Sequence, residues 1–197
     1  MSLNYCTSSV SRLVSVVNPV TSLSIPYAGL YKPIDDRDRV NASRVSQLIQ
    51  GHADAFCRNR LDGHVTASAF VVNPTYSHVI LTHHAKLNCW LQLGGHCDGE
   101  RDPLAVAKRE ACEESGLIDI QVAQPEIFDI DIHEIPKHRD TPAHLHYDIR
   151  YLLIAQMSDQ LQPSAESNDL AWVPLARLGD YSDKPSVLVL NRKLERL

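Results

Sequence analysis

The sequence predicts an α+β fold in which helices pack around a single sheet. Two observations carry this prediction. Short apolar or alternating segments, typical of strands, recur along most of the chain, and three other segments carry apolar residues at helical spacing. The chain has 197 residues, 44% of them hydrophobic and 22% charged, which is enough for one domain with its own core.

The N-terminal part differs from the rest of the chain. It is rich in Ser, Val and Pro and carries almost no charge. We therefore predict an extended arm over residues 1–34, with a short strand near 13–17, followed by a folded domain over 35–197.

Helices are predicted at both ends of this domain. Segment 35–60 is amphipathic and starts near Asp38 or Asn41, and segment 186–197 forms a C-terminal helix. Strands are predicted between them at 64–73, 78–84, 89–95, 127–133, 144–155 and 170–175.

Charge and composition restrict the partners. The net charge of −5 argues against a surface that coats nucleic acid, which needs basic patches. No run of eighteen apolar residues predicts a membrane span, and the first residues lack a signal-peptide pattern. Five cysteines without a CxxC pair fit free thiols in a reducing cytoplasm. We expect a cytoplasmic protein with a small-molecule substrate, and a homodimer is compatible with these features.

The remaining predicted helix carries a carboxylate cluster. Asp102 can cap its start and Gly116 its end, and Glu110, Glu113 and Glu114 share one of its faces. Like charges at this spacing repel by roughly 0.2–0.5 kcal/mol per pair, and the helix dipole disfavours anions near the C-terminal end. A solvated helix face is the ordinary interpretation. A divalent cation would instead resolve the conflict, because Mg²⁺ takes hard oxygen ligands.

Segment 95–117, GHCDGERDPLAVAKREACEESGL, resembles the Nudix box. The family pattern is Gly, five residues, Glu, seven residues, then Arg-Glu-apolar-x-Glu-Glu-x-Gly-apolar. Gly95 and Arg109 fall on the first glycine and the arginine of this pattern, and RExxEExGL is its specific half. The resemblance extends over about residues 64–175, which include a Trp strand entering the box and a late Trp-x-Pro-Leu strand.

The resemblance implies an α/β/α sandwich around a mixed, mostly antiparallel sheet. It also implies a metal-dependent hydrolase that cleaves the pyrophosphate of a nucleoside diphosphate linked to another moiety, with Mg²⁺ or Mn²⁺ as cofactor. By motif position, the metal ligands would be the Gly95 carbonyl, Glu110, Glu113 and Glu114. One glutamate would double as the base, and Arg109 would orient the glutamates. ADP-ribose, a dinucleotide, an oxidised nucleotide and a coenzyme A derivative all fit as substrates.

The chain departs from the family pattern at one position. In the family pattern, seven residues separate the first glutamate from the arginine. The position of that glutamate is occupied here by Arg101, and Glu100 precedes it by one residue. We expect Glu100 to approach Arg109 and brace it in place of the missing glutamate. The alternative is that Arg101 faces solvent or a substrate phosphate.

Segments 127–133 and 144–155 flank a loop bounded by Pro136 and Pro142, which predicts an antiparallel hairpin. Polar and apolar residues alternate on both strands. The polar set is Asp129, Asp131, His133, His144, His146, Asp148 and Arg150. Because the apolar set, which includes Phe128, must meet the core, we expect the polar set on the opposite side of the sheet.

The polar set has two interpretations. A solvated strand face is the ordinary one, but histidines with aspartates and an arginine suit a pocket for a phosphorylated substrate. We expect His133, His146 and Asp148 to face the cleft of the glutamates, with His144 nearer its rim. The candidate substrate-binding residues are His96, His133, His144, His146, Asp148 and Arg150.

Three rival functions remain. The spacings do not support a zinc enzyme, since neither HExxH nor CxxC occurs, and four histidines are expected at the surface or in loops: His52, His64, His78 and His138. Isopentenyl diphosphate isomerases have a catalytic cysteine before the motif glycine, where this chain has Gly94, whereas Cys97 lies on the other side. A non-catalytic Nudix-like nucleotide-binding module is the third rival, and Arg101 is the feature that favours it.

Overall fold

The computed structural model describes residues 31–138, 141–158 and 160–197. Most of the predicted arm over 1–34, including the strand expected near 13–17, lies outside the described residues. Tyr31, the first described residue, is buried against the domain, where its hydroxyl accepts a hydrogen bond of 2.8 Å from Lys193 Nζ.

The part of the chain that the structure describes contains four α-helices. They are α1 (Asp36–Gly51), α2 (Pro103–Ser115), α3 (Leu178–Tyr181) and α4 (Pro185–Leu194). Helix α1 starts earlier than predicted because the Asp35 side chain caps the Asp38 amide. It also ends before residue 60, at Gly51, a residue type that is unfavourable in helices.

The described residues form eight strands in one mixed sheet. The strands are β1 (Gly63–Val72), β2 (His78–His84), β3 (Cys89–Leu91), β4 (Leu93–His96), β5 (Gln121–Val122), β6 (Asp129–Ile135), β7 (His144–Ile154) and β8 (Ser167–Pro174). Strand β1 is central: it pairs in parallel with β7 on one side and antiparallel with β2 and β4 on the other. The remaining pairs are antiparallel, as predicted.

The hairpin prediction is confirmed. Strands β6 and β7 pair antiparallel, with His133 opposite His146 and Asp131 opposite Asp148. Side chains at such paired positions project from the same face of a sheet. The polar set of the hairpin therefore lies on one face, as expected from its alternation.

Apolar layers cover both faces of the sheet. On one face, residues of α1 and α2 pack with Ile130, Ile149 and Tyr151. On the other, residues of α4 pack with Phe70 and Leu152. This arrangement confirms the predicted α/β/α sandwich.

Phe128 corrects one detail of the predicted hairpin. It precedes β6 rather than belonging to it, and its ring packs against Phe70, with centroids 6.2 Å apart, in the layer beneath α4. It therefore does not share the face of Ile130. Within the described ranges, none of the helices is long and apolar enough to cross a membrane.

Candidate active site and its surroundings

Helix α2 has the boundaries that the sequence predicted. The Asp102 carboxylate accepts hydrogen bonds from the Leu104 and Ala105 amides, and Pro103 occupies the first turn. Gly116 ends the helix in the left-handed conformation, with φ of 72°, which glycine adopts at little cost. The apolar side of α2 is fully buried in the core, so the glutamates project away from it.

Two of the α2 glutamates reach the glycines of β4. The Glu114 carboxylate accepts a hydrogen bond of 2.8 Å from the Gly94 amide. The Glu110 carboxylate lies so close to Gly95 that a Cβ atom there would overlap it. Strand β4 is fixed in turn by its pairing with β1, where Gly95 lies opposite Ala67. A side chain at position 95 would therefore displace the Glu110 carboxylate from its place beside β4.

Glu114 is the most perturbed carboxyl group of the cluster. Burial raises its pKa to about 7, and the negative charges of Glu110, Glu166 and Glu113 add to the increase. The Gly94 amide acts in the opposite direction but does not compensate. Glu114 thus sits where a positive charge would be favourable, since only a cation would allow all the carboxylates to ionise together.

Arg109 contacts two glutamates of the cluster and the neighbouring strand β4. Its guanidinium lies 2.7 Å from Glu110 Oε1 and 3.7 Å from Glu113 Oε1, and it donates to the His96 carbonyl at 3.4 Å. Glu113 remains the most accessible of the three glutamates, with 62% of its side chain exposed. It is therefore open to a ligand from solvent.

The expected brace between Glu100 and Arg109 is not found. Glu100 instead turns back on its own loop, where its carboxylate accepts hydrogen bonds from the Arg101 and Asp102 amides. Arg101 is exposed to solvent, as one alternative expected, and its guanidinium also donates to the Ala53 carbonyl at 3.2 Å and lies over the Phe56 ring. These local contacts fix the loop, and Arg109 forms its ion pairs with Glu110 and Glu113 of α2.

The polar face of the hairpin holds a buried ion network. The Arg150 guanidinium, 1% exposed, pairs with Asp129 and Asp131 at 3.1 Å each and with Asp148 at 2.8 Å. Thr66 and Ser68 of β1 also donate to Asp148. The hydrogen-bonding groups of Asp148 and Arg150 are thus engaged inside the protein, and their burial does not support the prediction that they contact substrate.

Two further cations complete this network. Lys193 of α4 lies 2.6 Å from Asp38 and 2.7 Å from Asp129, and Arg37 of α1 pairs with Asp129 and Asp131. Burial alone would raise the pKa of Asp129, but the charges of Arg150, Lys193 and Arg37 outweigh it and hold the pKa below its usual range. The network therefore ties both outer helices to the hairpin.

Histidines cluster at one end of the same face. The rings of His64, His96, His144 and His146 lie 4.9–5.2 Å apart between centroids in five pairs, and His133 lies 5.6 Å from His146. The expectation that His64 is a surface residue is wrong, because it is 1% exposed. The local sequence did not predict that His64 is buried. The alternation of His64, Thr66 and Ser68 along β1 was the one indication that these polar side chains share a face.

The glutamates and the polar hairpin face lie on different sides of the sheet. Helix α2 packs on the face that carries Ile149 and Tyr151, whereas Asp148 and His146 alternate with them and project from the other. The expectation that His133, His146 and Asp148 share one cleft with the glutamates does not match this arrangement. Strand β4 connects the two sides, because Gly95 meets the glutamate helix and the neighbouring His96 ring meets the histidines.

The sandwich and the carboxylate helix against a glycine strand define a hydrolase fold with an acidic site at the sheet edge. A family model described as the NUDIX domain matches residues 62–192, well over half of the chain. The chain therefore belongs to the Nudix family and is a Nudix-type pyrophosphohydrolase acting on phosphoric anhydrides. No curated protein matches it in sequence.

Solved structures share the fold at low sequence identity. The MutT protein of Methanosarcina mazei Go1 has a TM-score of 0.52 and 14% identity, over 70% of this chain and 96% of its own. The E. coli dihydroneopterin triphosphate pyrophosphohydrolase has a TM-score of 0.51 and 13% identity, over 66% and 92%. A C. elegans Ap4A hydrolase has a TM-score of 0.50 and 17% identity, over 67% and 95%.

Proposed function

We propose that the chain is a divalent-metal-dependent hydrolase that cleaves the pyrophosphate of a nucleoside diphosphate linked to another moiety. The observation that carries this proposal is the convergence of Glu110 and Glu114 on the glycines of β4, with Glu113 open to solvent beside them. Family membership supports the reaction class, and the carboxylate geometry supports the metal.

The donor set fits Mg²⁺ or Mn²⁺. Three carboxylates and the Gly95 carbonyl are hard oxygen donors, which these ions prefer over nitrogen and sulfur. Burial and the neighbouring glutamates raise the pKa of Glu114 to about 7, and this supports the proposal because a bound cation would favour the ionised carboxylate. A bound cation would polarise a phosphate oxygen and lower the pKa of an attacking water.

The protein residues have distinct roles in this proposal. Glu110, Glu113 and Glu114 hold the metal, and one of them takes the proton from the attacking water. Arg109 positions Glu110 and Glu113 through its charged hydrogen bonds. His96 follows Gly95 and is the candidate substrate-binding residue nearest in sequence to the glutamates. We assign it to a phosphate contact.

His133 is a second candidate for substrate binding, at a different place. It is half-buried and lines a cavity of about 380 Å³ together with Arg37, Lys193 and Arg196. Those cations could attract a phosphate, but the cavity lies on the polar face of the hairpin rather than beside α2. We therefore assign His133 to recognition of a remote part of the substrate and not to the reacting phosphate.

A substrate panel tests the proposal. Purified full-length chain with Mg²⁺ or Mn²⁺ is incubated with ADP-ribose, diadenosine polyphosphates, dihydroneopterin triphosphate, oxidised nucleotides and coenzyme A derivatives, and the products are resolved by chromatography. We expect at least one compound to be cleaved at its pyrophosphate only when the metal is present. Binding of a nucleotide without turnover on the whole panel would instead identify a non-catalytic binding module.

A further inference from the structure

Three residues of the histidine cluster, His64, His144 and His146, have no role in the proposed hydrolysis. His64 belongs to β1, and His144 and His146 belong to β7. The sequence separates them by about eighty residues, but β1 and β7 pair in parallel with His64 and His146 as direct partners. His144 lies two residues before His146, so all three side chains project from the same face.

The three imidazoles converge at one point. One nitrogen from each of His64, His144 and His146 can be chosen so that all of them lie within 4.8 Å of one another. A Zn–N bond of about 2.0–2.1 Å implies nitrogens about 3.3 Å apart in a tetrahedral site, so small side-chain rotations would close the site. Such rotations need no movement of the paired strands.

Hydrogen bonds fix the orientation of two of these rings. His64 Nδ1 lies 3.2 Å from the Arg60 carbonyl oxygen, and His144 Nδ1 lies 2.9 Å from the Pro142 carbonyl oxygen. Since a carbonyl can only accept, each Nδ1 donates its proton, and in the neutral form of each ring Nε2 carries the lone pair. Metal-binding histidines commonly donate their other N–H to a backbone carbonyl in this way.

Two buried ring nitrogens of this group lack a hydrogen-bond partner in the described part of the chain. Nε2 of His64 and Nε2 of His146 are both buried and form no hydrogen bond among the described residues, although buried polar atoms are normally satisfied. His64 itself is 1% exposed.

We propose that His64, His144 and His146 bind a transition-metal ion of the Zn²⁺ type, separate from the glutamate site. Three neutral imidazoles suit Zn²⁺, whereas Mg²⁺ prefers the oxygen donors of α2. The fourth position is open to water or to His96, whose ring centroid lies 5.2 Å from that of His64. The ion would link β1 to β7 and would hold the strand pair beside the glycines of β4.

Cobalt spectroscopy on the full-length chain tests this site. Chelator-stripped protein is titrated with Co²⁺ in excess Mg²⁺, so that the carboxylates are occupied by magnesium. We expect one equivalent of Co²⁺ to give the intense visible absorption of four- or five-coordinate nitrogen ligation, and Zn²⁺ to displace it. Zn²⁺ should also raise the melting temperature of the stripped protein, because it binds only the folded chain.

Matched variants locate the ion. His144→Ala and His146→Ala should each weaken Co²⁺ binding by about 100-fold or more, since loss of a residue that merely orients a ligand already costs about 10–100-fold. His52→Ala, which removes an exposed histidine outside the cluster, should bind Co²⁺ like the wild type. Glu113→Gln should also keep the cobalt spectrum, which separates this site from the proposed hydrolysis.

Two results would overturn the proposal. One is a wild-type protein that binds no stoichiometric Co²⁺ or gives only the weak spectrum of octahedral oxygen ligation. The other is a folded His144→Ala or His146→Ala variant with unchanged binding. If both variants unfold, as judged by circular dichroism, the wild-type spectrum alone decides.

Discussion

At the scale of single residues, the Glu110 carboxylate occupies the space where a side chain at position 95 would lie. A methyl group at position 95 would overlap the Glu110 carboxylate, but that carboxylate ends a flexible side chain and can rotate away. The cost of a substitution should therefore appear in catalysis rather than in folding. This separation makes Gly95 a direct probe of whether the position of Glu110 matters.

We expect Gly95→Ala to lower kcat by about tenfold or more, equivalent to at least ~1.4 kcal/mol of lost transition-state stabilisation, with a melting temperature close to that of the wild type. Gly179→Ala is the matched control, because a Cβ there has no neighbour within 4 Å. Steady-state kinetics and thermal melts of the three proteins provide the comparison. Wild-type kcat in Gly95→Ala would show that the contact has no catalytic role.

Some residue-level features could be predicted from local sequence and others could not. The caps of α2, Asp102 and Gly116, depend on contacts within a few residues, and both were predicted correctly. His64 was assigned to the surface because its burial comes from a parallel strand far along the chain. Glu100 was expected to contact Arg109, but its carboxylate instead accepts hydrogen bonds from the amides of Arg101 and Asp102 in its own loop.

At the scale of secondary-structure elements, the β6–β7 hairpin is held to both outer helices by ion pairs around Arg150. The alternation of polar and apolar residues predicted the hairpin and the face of each side chain. It did not predict that cationic side chains from other elements would pair with the aspartates of this face. Arg37 and Lys193 come from helices at opposite ends of the domain sequence, and both pair with Asp129. The polar residues of this pattern around Arg150 form a buried ion network.

Removal of the central cation should destabilise the domain strongly. Arg150→Met leaves Asp129, Asp131 and Asp148 with fewer buried partners, and loss of one member of a buried ion pair typically costs about 3–5 kcal/mol. Arg177→Met, which removes an exposed pair with Asp180, should cost far less, because water screens an exposed ion pair. Urea unfolding measures both. A similar small loss in the two variants would show that the buried network contributes little.

At the scale of the whole molecule, the sheet separates two sets of polar groups: the α2 glutamates on one side, and the ion network with the histidines on the other. The fold class and the Nudix family were predictable because they depend on local patterns and one continuous motif. The separation was not, because it depends on the parallel pairing of β1 with β7, which no local pattern specifies. Only that pairing brings His64 beside His146.

The buried aspartates also set the stability of the molecule in acid. The pKa values of Asp129 and Asp131 are held below their usual range in the folded protein: burial opposes this shift, but the Arg150 charge and, for Asp131, a hydrogen bond with His133 outweigh it. Their stabilising contribution is thus complete above the unfolded-state pKa of about 3.9 and is lost as the pH falls further.

We expect the free energy of unfolding to fall steeply as the pH drops from about 4 towards 2, and to fall less steeply in Asp129→Asn, which no longer titrates at that position. Urea unfolding at a series of pH values gives both curves. Equal acid dependence in the wild type and in Asp129→Asn would contradict the assignment of acid sensitivity to this network.

The central claim is that the α2 glutamates support metal-dependent hydrolysis, and Glu113→Gln tests it most directly. Glu113 is largely exposed, so the substitution should leave the fold intact and slightly stabilise the metal-free protein by removing a repulsive charge. The measurement is kcat/KM with Mg²⁺ on the substrate found in the panel, with Glu126→Gln as the control at an exposed glutamate outside α2. We predict a loss of about 100-fold or more in Glu113→Gln alone, since a catalytic metal contributes several kcal/mol. Wild-type kcat/KM in a folded Glu113→Gln variant would contradict the account.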